Sequence, residues 1–418
     1  MLGSIEGLGG IIDPLEPKII LGLSSDGRRI TLQDCRITTG NLAVGSGFST
    51  STFVVNTVFV GEHFEQEEDV GFERLVVEYL HLEAWAHESG YNISFHEEGE
   101  EPKRRWTEVR HEAPEPFTAH VAGEYEVTLD FSSYFQASRR LFTWVNISQP
   151  TELAIKFPEK EAFGRLSDIA FRLQHLLSLG TRRSAYPVAV KGYTGIPGEA
   201  MPVGVYYRPL GRTGAPQVRP ELHEMLFSRR DLPEGFGPAV ARWLEGAEKL
   251  DPVYRLFLGT VYNPRAFIEQ QFLSLVTALE VYHRRTMSAP DPPEKHETCK
   301  REILEAVPEV HRGWLERMLA FSHEPTLEQR LHEIFRKHLK TAQAIVGKSK
   351  KPRAAFIRRV VDARNYRAHF GEKLEGKATR GADLHPINQK LTKLLEACLM
   401  AEIGFEDDKI RRAILGLP

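Results

Sequence analysis

Cysteine is scarce in this chain, and its three copies are spread out. Cys35, Cys299 and Cys398 are odd in number and far apart, and none belongs to a Cys-x-x-Cys pair. A disulfide framework or a structural zinc site needs paired or closely spaced cysteines. The pattern therefore argues against both and indicates a reducing compartment. We expect a cytoplasmic protein with no metal or other cofactor.

Long apolar runs are missing too. No stretch approaches the roughly 18 apolar residues of a membrane helix, and the first residues lack a basic region followed by an apolar one. We therefore expect no membrane partner and no signal peptide. A strong net charge is also absent, because 54 Lys and Arg against 57 Asp and Glu give −3. Any nucleic-acid site must then be a local basic surface.

The 418 residues exceed one ordinary core and favour two domains. Residues 1–215 contain short β-branched and aromatic runs separated by turn-forming residues, of which Phe53–Val60 is the clearest, and one helical pattern at Phe163–Leu179. This half predicts a β-rich domain with a helix, built as a sandwich-like or curled antiparallel sheet. Residues 220–418 show helical spacing and predict an all-α bundle. The expected fold class is therefore α+β.

Individual helix boundaries can be predicted in the second half. A continuous apolar stripe covers Ile268–Tyr282, and Asn263-Pro264 before it suggests an N-cap followed by proline in the first turn. Thr326–Gln329 has the form of a capping box that opens the next clear helix. A last long helix is expected over Ile387–Leu399. Helices of this length can bury a core as an antiparallel bundle.

A hexapeptide near the C-terminus carries the strongest chemical suggestion. Arg364, Asn365 and His369 stand within six residues at the end of a predicted helix. Arginine stays charged and can hold a phosphate, whereas histidine titrates near neutral pH and can move a proton. Segment 348–367 has eight Lys or Arg and one acidic residue, so it forms a local basic surface that attracts phosphates. The basic residues predicted to bind RNA are Lys350, Lys351, Arg353, Arg358 and Arg367.

The Arg-to-His spacing alone is not specific. It recurs at Arg380/His385 and, with one more intervening residue, at Arg317/His323. Three features distinguish the pair in the hexapeptide: the adjacent asparagine, the position at the end of an apolar-patterned helix, and the local basic charge.

Helix geometry leaves two readings of Arg364 open. It follows Phe356 and Val360 at intervals of four, which places it on the apolar stripe, where an arginine needs a partner or a pocket. Arg364 could be a buried structural residue paired with an acid such as Glu280, with His369 favouring the helix dipole. Residue 369 is about 140° around an ideal helix from residue 364. For a shared site, either the helix ends between them or two protomers contribute.

The hexapeptide and its neighbours resemble a known superfamily. The Arg-Asn-x-x-x-His pattern at the end of a C-terminal helical bundle resembles the HEPN superfamily. Phe272–Glu280, Thr326–Leu331 and Ala363–Phe370 are similar to the ApeA-like HEPN group. Val58–Phe64 and Leu82–Trp85 resemble the β-rich N-terminal domain of those proteins. The resemblance therefore covers most of the chain.

The resemblance implies a metal-independent endoribonuclease that acts as a homodimer through its helical domain, in antiphage defence by abortive infection. His369 would transfer the proton when a ribose 2′-OH attacks the adjacent phosphate, and Arg364 would stabilise the phosphate charge. Asn365 would position this pair, and Glu280 would orient one of its members. The products would be a 2′,3′-cyclic phosphate and a 5′-hydroxyl. The substrate would be RNA, with tRNA as one candidate, and a phage-derived trigger would act on the N-terminal domain.

Two other functions stay open. The first is a noncatalytic HEPN module that dimerises and binds RNA or a nucleotide. The second is a hydrolase in the first half of the chain, built from some of its seven histidines. Their spacings match no metal-binding motif, which makes this second function the weaker alternative.

Overall fold

The computed structural model of the chain describes residues 18–41, 50–101, 103–138, 143–195, 201–211, 218–287, 294–369, 379 and 381–417, without the side chains of 39–41, 50, 51, 368 and 369. The chain divides into two compact units. The first comprises Met1–Leu177 and Ser184–Arg219, and the second comprises Ser178–Arg183 and Pro220–Pro418.

The first unit consists mainly of β-strands. Its strands, in chain order, are β1 (Ile19–Leu23), β2 (Arg29–Asn41), β3 (Thr50–Val60), β4 (Gly71–Tyr79), β5 (Tyr91–Glu98), β6 (Arg104–His111), β7 (Phe117–Val121), β8 (Tyr125–Phe131), β9 (Tyr134–Ala137), β10 (Val145–Ser148), β11 (Thr151–Ala162), β12 (Pro187–Tyr193) and β13 (Val203–Tyr207). Its helices are α1 (Leu82–Ala86) and α2 (Phe163–Thr181), of which α2 ends in residues that group with the second unit.

One large antiparallel sheet organises this unit. Within the described residues it has nine strands in the order β1-β2-β3-β13-β12-β4-β11-β8-β7, while β5–β6 and β9–β10 form separate hairpins. Helix α2 packs on one face, where the hydroxyl of Tyr79 donates to the carbonyl of Ala170 at 2.7 Å. Phe163 at the start of α2 meets the ring of Phe59 edge-on at 5.3 Å. Burial of these apolar side chains between sheet and helix provides the core.

The second unit is helical. Its helices are α3 (Phe236–Tyr262), α4 (Ile268–Thr286), α5 (Glu294–Ala306), α6 (Glu309–Leu319), α7 (Leu327–Lys337), α8 (Leu339–Val346), α9 (Lys350–His369), α10 (His385–Ile403) and α11 (Asp407–Leu415). Helices α3, α4 and α10 contact one another and enclose large buried side chains such as Trp243, Tyr254 and Phe272. The predicted α+β class, with a β-rich domain followed by a helical one, is confirmed. Among the helices described, none is both long and apolar enough to cross a lipid bilayer.

Two predicted helix starts have different outcomes. The capping box is confirmed, because Gln329 donates its backbone N–H to the Thr326 hydroxyl at 3.3 Å and its side chain accepts from the Thr326 N–H at 2.8 Å. The start at Asn263-Pro264 is wrong. Asn263 closes the preceding helix α3 by donating to the carbonyl of Gly259 at 3.1 Å, and α4 begins at Ile268.

A buried histidine between α7 and α8 makes the stability of the helical unit depend on pH. His338 is 3% exposed, and neither ring nitrogen has a hydrogen-bond partner among the described residues. Burial, followed by the charge of Lys337, lowers the pKa of His338 to about 4 from 6.5. The unfolded chain therefore takes up a proton below pH 6.5 that the folded ring resists, so stability present above that pH is lost as pH falls towards 4.

This histidine contributes a loss of about 3 kcal/mol by pH 4. Guanidinium unfolding of the wild type and of His338→Leu between pH 7 and pH 4.5 measures it. The substitution should flatten the pH dependence, and an unchanged slope would contradict the assignment.

Candidate active site

Helix α4 carries the first of the predicted site residues. Its inward face is a buried stripe that includes Phe272, Leu279 and Tyr282. Glu280 lies at the border of this stripe, with its side chain 23% exposed. A carboxylate at such a border keeps contact with water while reaching a neighbouring helix. The Glu280 carboxylate can therefore pair with a cation on that helix without the full free-energy cost of burying a charge.

Helix α9 supplies that cation. Its buried side chains Phe356, Val360 and Ala363 follow helical spacing, and Arg364 stands beside them with its side chain 35% exposed. Nη2 of Arg364 lies 3.5 Å from Oε1 of Glu280. Nη1 of Arg364 donates to Oδ1 of Asn365 at 3.3 Å. The structure thus brings Glu280, Arg364 and Asn365 together.

The geometry of this cluster favours ligand binding over a tight structural pair. A separation of 3.5 Å is long for a charge-assisted hydrogen bond, and both side chains reach water, so the pair contributes less than about 1 kcal/mol. Within the described residues the Arg364 guanidinium has only these two contacts. Its remaining N–H donors can therefore bind a phosphate.

The backbone of His369 is described, whereas its side chain lies outside the described part of the chain. Helix α9 runs without interruption through His369. Of the two arrangements that the spacing allowed, a helix that ends between Arg364 and His369 is therefore wrong. On an ideal helix, positions 364 and 369 are about 140° apart.

Part of the predicted RNA-binding set lies along one exposed side of α9. Lys350, Lys351 and Arg358 are exposed. Lys351, Arg358 and Asn365 are spaced by seven, which corresponds to two helical turns, so they share one side of the helix at intervals of about 10 Å. Two exposed cations, Lys351 and Arg358, therefore lie on the side of α9 that carries Asn365.

Two members of the predicted RNA-binding set instead donate to backbone carbonyls of their own unit. Arg353 is half-buried and its Nη1 donates to the carbonyls of Gly347 at 3.1 Å and Lys348 at 2.6 Å, so it caps the end of α8. Arg367 is only 8% exposed and donates to the carbonyls of Ala363 and Thr379 at 3.0 and 2.8 Å. Arg367 therefore faces the interior and not the RNA-facing surface that the sequence predicts.

A network of side-chain hydrogen bonds around the buried His283, close to Glu280 on α4, was not predicted. His283, one turn further along α4, is fully buried, and its Nε2 donates to Glu333 at 2.6 Å. This tautomer follows because Nη1 of Arg330 donates to Nδ1 of His283 at 3.2 Å. Arg330 also donates to Glu324 at 2.7 Å. The network joins α4 to α7 and holds the helix that carries Glu280. The signals in the sequence were the i, i+3 spacing of Glu280 and His283 on α4 and of Arg330 and Glu333 on α7.

No group of three histidine, cysteine, aspartate or glutamate side chains in the described ranges is arranged to hold a metal ion. Cys35 and Cys398 are buried, and Cys299 is exposed. Burial raises the pKa of the Cys398 thiol, so this sulfur stays protonated at neutral pH.

Both halves of the chain match known protein families. Residues 273–409 match the family described as Apea-like HEPN, beginning within α4 and including Glu280 and the motif on α9. Residues 3–243 match the family described as ApeA N-terminal domain 1, which covers more than half of the chain and ends within α3. No curated protein and no solved structure matches the chain. The chain therefore belongs to the ApeA family, in which an ApeA N-terminal domain precedes an Apea-like HEPN domain.

Proposed function

We propose that this protein is a metal-independent endoribonuclease that acts in antiphage defence by abortive infection. HEPN domains are generally ribonucleases that bind RNA and dimerise, and the ApeA family suggests a HEPN nuclease in antiphage defence. The β-rich unit would sense a phage-derived trigger. The observation that carries the proposal is the half-exposed Arg364 side chain, held between Glu280 and Asn365 on a helix that also exposes Lys350, Lys351 and Arg358.

The chemistry assigns one task to each residue. Arg364 binds the scissile phosphate and stabilises the charge that grows on its oxygens. His369 moves the proton released when the 2′-OH attacks phosphorus, so that a P–O2′ bond forms and the P–O5′ bond breaks. Asn365 and Glu280 keep the guanidinium in place. The products are a 2′,3′-cyclic phosphate and a 5′-hydroxyl.

Incubation of the purified protein with tRNA and messenger RNA in EDTA tests this function. We expect cleavage in EDTA, with fragments that bear cyclic phosphates and free 5′-hydroxyls. Fragments with 5′-phosphates would contradict the proposed chemistry. A protein that retains RNA in a gel-shift assay while no fragment forms would instead support a noncatalytic binding module.

Substitution of Arg364 separates a catalytic arginine from a structural one. Arg364→Ala should lower the cleavage rate by about 100-fold or more, because a charge-stabilising donor is lost. Arg364→Lys should recover only part of the wild-type cleavage rate, since lysine keeps the charge but lacks the planar guanidinium that donates two parallel hydrogen bonds.

Both variants should unfold within about 1 kcal/mol of the wild type, because the contact with Glu280 is long and half-exposed. Chemical denaturation measures this difference. A large loss of stability with an unchanged rate per folded molecule would favour the structural role.

The uninterrupted helix α9 leads us to propose that each active site takes Arg364 and His369 from two protomers of a homodimer. In a symmetric dimer, a subunit with Arg364→Ala and a subunit with His369→Ala then form one intact site and one doubly altered site. Statistical mixing of the two inactive proteins should restore about a quarter of the wild-type rate. If both residues act from one protomer, the mixture stays inactive.

A further inference from the structure

Strands β12 and β13 are neighbours in the large sheet, but they separate along most of their length. Among the described residues they pair at only two positions, where Lys191–Gly192 meets Val203–Gly204. The same antiparallel register would next join residues 188–190 to residues 205–207. Those pairs are not formed, although Ala189 and Val190 stay paired with β4, and Val205–Tyr207 stay paired with β3. The sheet is therefore split between β12 and β13.

A cleft of about 340 Å³ occupies this split. Its walls are Tyr186–Lys191, Gly204–Tyr207 and Pro209. Val190 and Val205 are buried in it, whereas Val188 and Tyr206 are more than half exposed. Strand edges without a neighbour offer backbone N–H and C=O groups to any extended chain that can lie beside them. Within the described part of the chain two such edges face each other here, so an added strand could pair on both sides.

The charges beside the cleft indicate the chemistry of its ligand. Nζ of Lys191 lies 3.1 Å from Glu152 and 3.7 Å from Glu78, so two carboxylates share one ammonium. Burial, followed by the hydrogen bond with Glu152, raises the pKa of the Glu78 carboxyl, so a further cation beside the ones in the described part of the chain would stabilise its charged form. Ala189 is the register partner of Glu78, so only a methyl group separates this carboxylate from the cleft.

We propose that the cleft binds an extended segment of a partner protein, which adds as a strand between β12 and β13 and extends a lysine or arginine over Ala189 to Glu78. Strands lie about 4.8 Å apart, so Glu78 is two spacings from the added strand and within reach of a long basic side chain. Apolar residues at alternate positions of the segment would contact Val190 and Val205. The strand edges that no described residue pairs, and the two carboxylates that share Lys191, favour a basic peptide over RNA, whose phosphates Glu78 and Glu152 would repel.

Selection from a display library of random eight-residue peptides on the full-length protein tests this site. We expect enriched sequences that alternate apolar residues and carry lysine or arginine at one fixed position. Methylation of alternate backbone nitrogens in the best peptide should weaken its binding by about tenfold or more, because the hydrogen bonds to the strand edges are lost. Fluorescence anisotropy of the labelled peptide measures both affinities.

A matched pair of variants locates the binding. Glu78→Gln should weaken the best peptide by about fivefold or more, since its basic side chain loses a charged partner. Glu126→Gln makes the same change on β8 of the same sheet and should leave the affinity unchanged. The absence of enriched peptides, tolerance of backbone methylation, or equal effects of the two variants would each overturn the proposal. Because binding is read directly, these results do not depend on whether the helical unit cleaves RNA.

Discussion

Replacement of His369 by alanine is expected to remove RNA cleavage while the protein stays folded. The reaction requires a proton to leave the attacking 2′-OH and a proton to reach the departing 5′-oxygen. A positioned acid–base residue contributes about 100- to 10,000-fold to such transfers. The cleavage rate of His369→Ala on the best RNA substrate, measured at equal concentrations of folded protein, should fall by that factor.

The chain contains a matched control for this substitution. Arg380 and His385 repeat the spacing of Arg364 and His369 without a following asparagine. His385 is exposed at the start of α10, where its Nε2 lies 3.0 Å from Nε2 of Gln389. His385→Ala should cleave RNA at the wild-type rate. If the two alanine variants lose activity equally, or if His369→Ala keeps full activity, the assigned proton transfer is wrong.

Replacement of Arg182 by alanine is expected to destabilise the helical unit by about 3 kcal/mol or more. Nε and Nη2 of Arg182 each donate to one oxygen of Glu396 on α10, both at 2.8 Å. The Glu396 side chain is only 5% exposed. In Arg182→Ala the Glu396 carboxylate would stay buried but would lose this ion pair. Denaturant unfolding, followed by helical circular dichroism, should show a lower midpoint for Arg182→Ala.

The next residue provides the comparison. Arg183 pairs with Glu224 at 3.0 Å, but both side chains are well exposed. Arg183→Ala should therefore lower stability by less than about 1 kcal/mol. Replacement of both Arg182 and Glu396 by leucine should recover much of the loss, because no unpaired charge remains buried. Equal destabilisation by the two single alanine variants would show that the burial of Glu396 is not the cause.

The local part of the candidate site could be predicted from the sequence. Arg364 and Asn365 are neighbours on one helix, and helical spacing placed Arg364 beside the apolar stripe, where it required a partner. In the structure, Glu280 is the acidic partner of Arg364. The catalytic roles of these residues, and of His369, stay predictions.

The partners of each basic side chain could not be predicted from the sequence. Arg358 and Arg367 have the same charge and lie nine residues apart on α9, yet Arg358 is exposed and Arg367 is buried against Phe272, 5.3 Å from its ring. The two residues are about 180° apart on an ideal helix, and Arg367 follows Val360 by seven residues and Ala363 by four, so helical spacing does place Arg367 on the apolar side. Only the tertiary structure shows that its guanidinium there lies against Phe272 and donates to the carbonyls of Ala363 and Thr379.

The formation of helix α3 could not be predicted from local propensity either. It contains Gly246, Pro252 and Gly259, which disfavour a helix on local grounds. Its buried residues Trp243 and Tyr254, whose rings stack at 4.1 Å, belong to the apolar side that packs against α4 and α10. Tertiary burial therefore outweighs local propensity in α3.

By itself, the sequence determined what local periodicity and residue chemistry can determine: a β-rich half before a helical half, the capping box of α7, and the motif on α9. Only the tertiary structure decided the order of the strands, such as Val60 beside Gly204, and the split between β12 and β13. It also decided the contact of Glu280 with Arg364 and the contact of Arg367 with Phe272. The reason is that local patterns follow from neighbours in the chain, whereas pairing and burial depend on residues more than 80 positions apart.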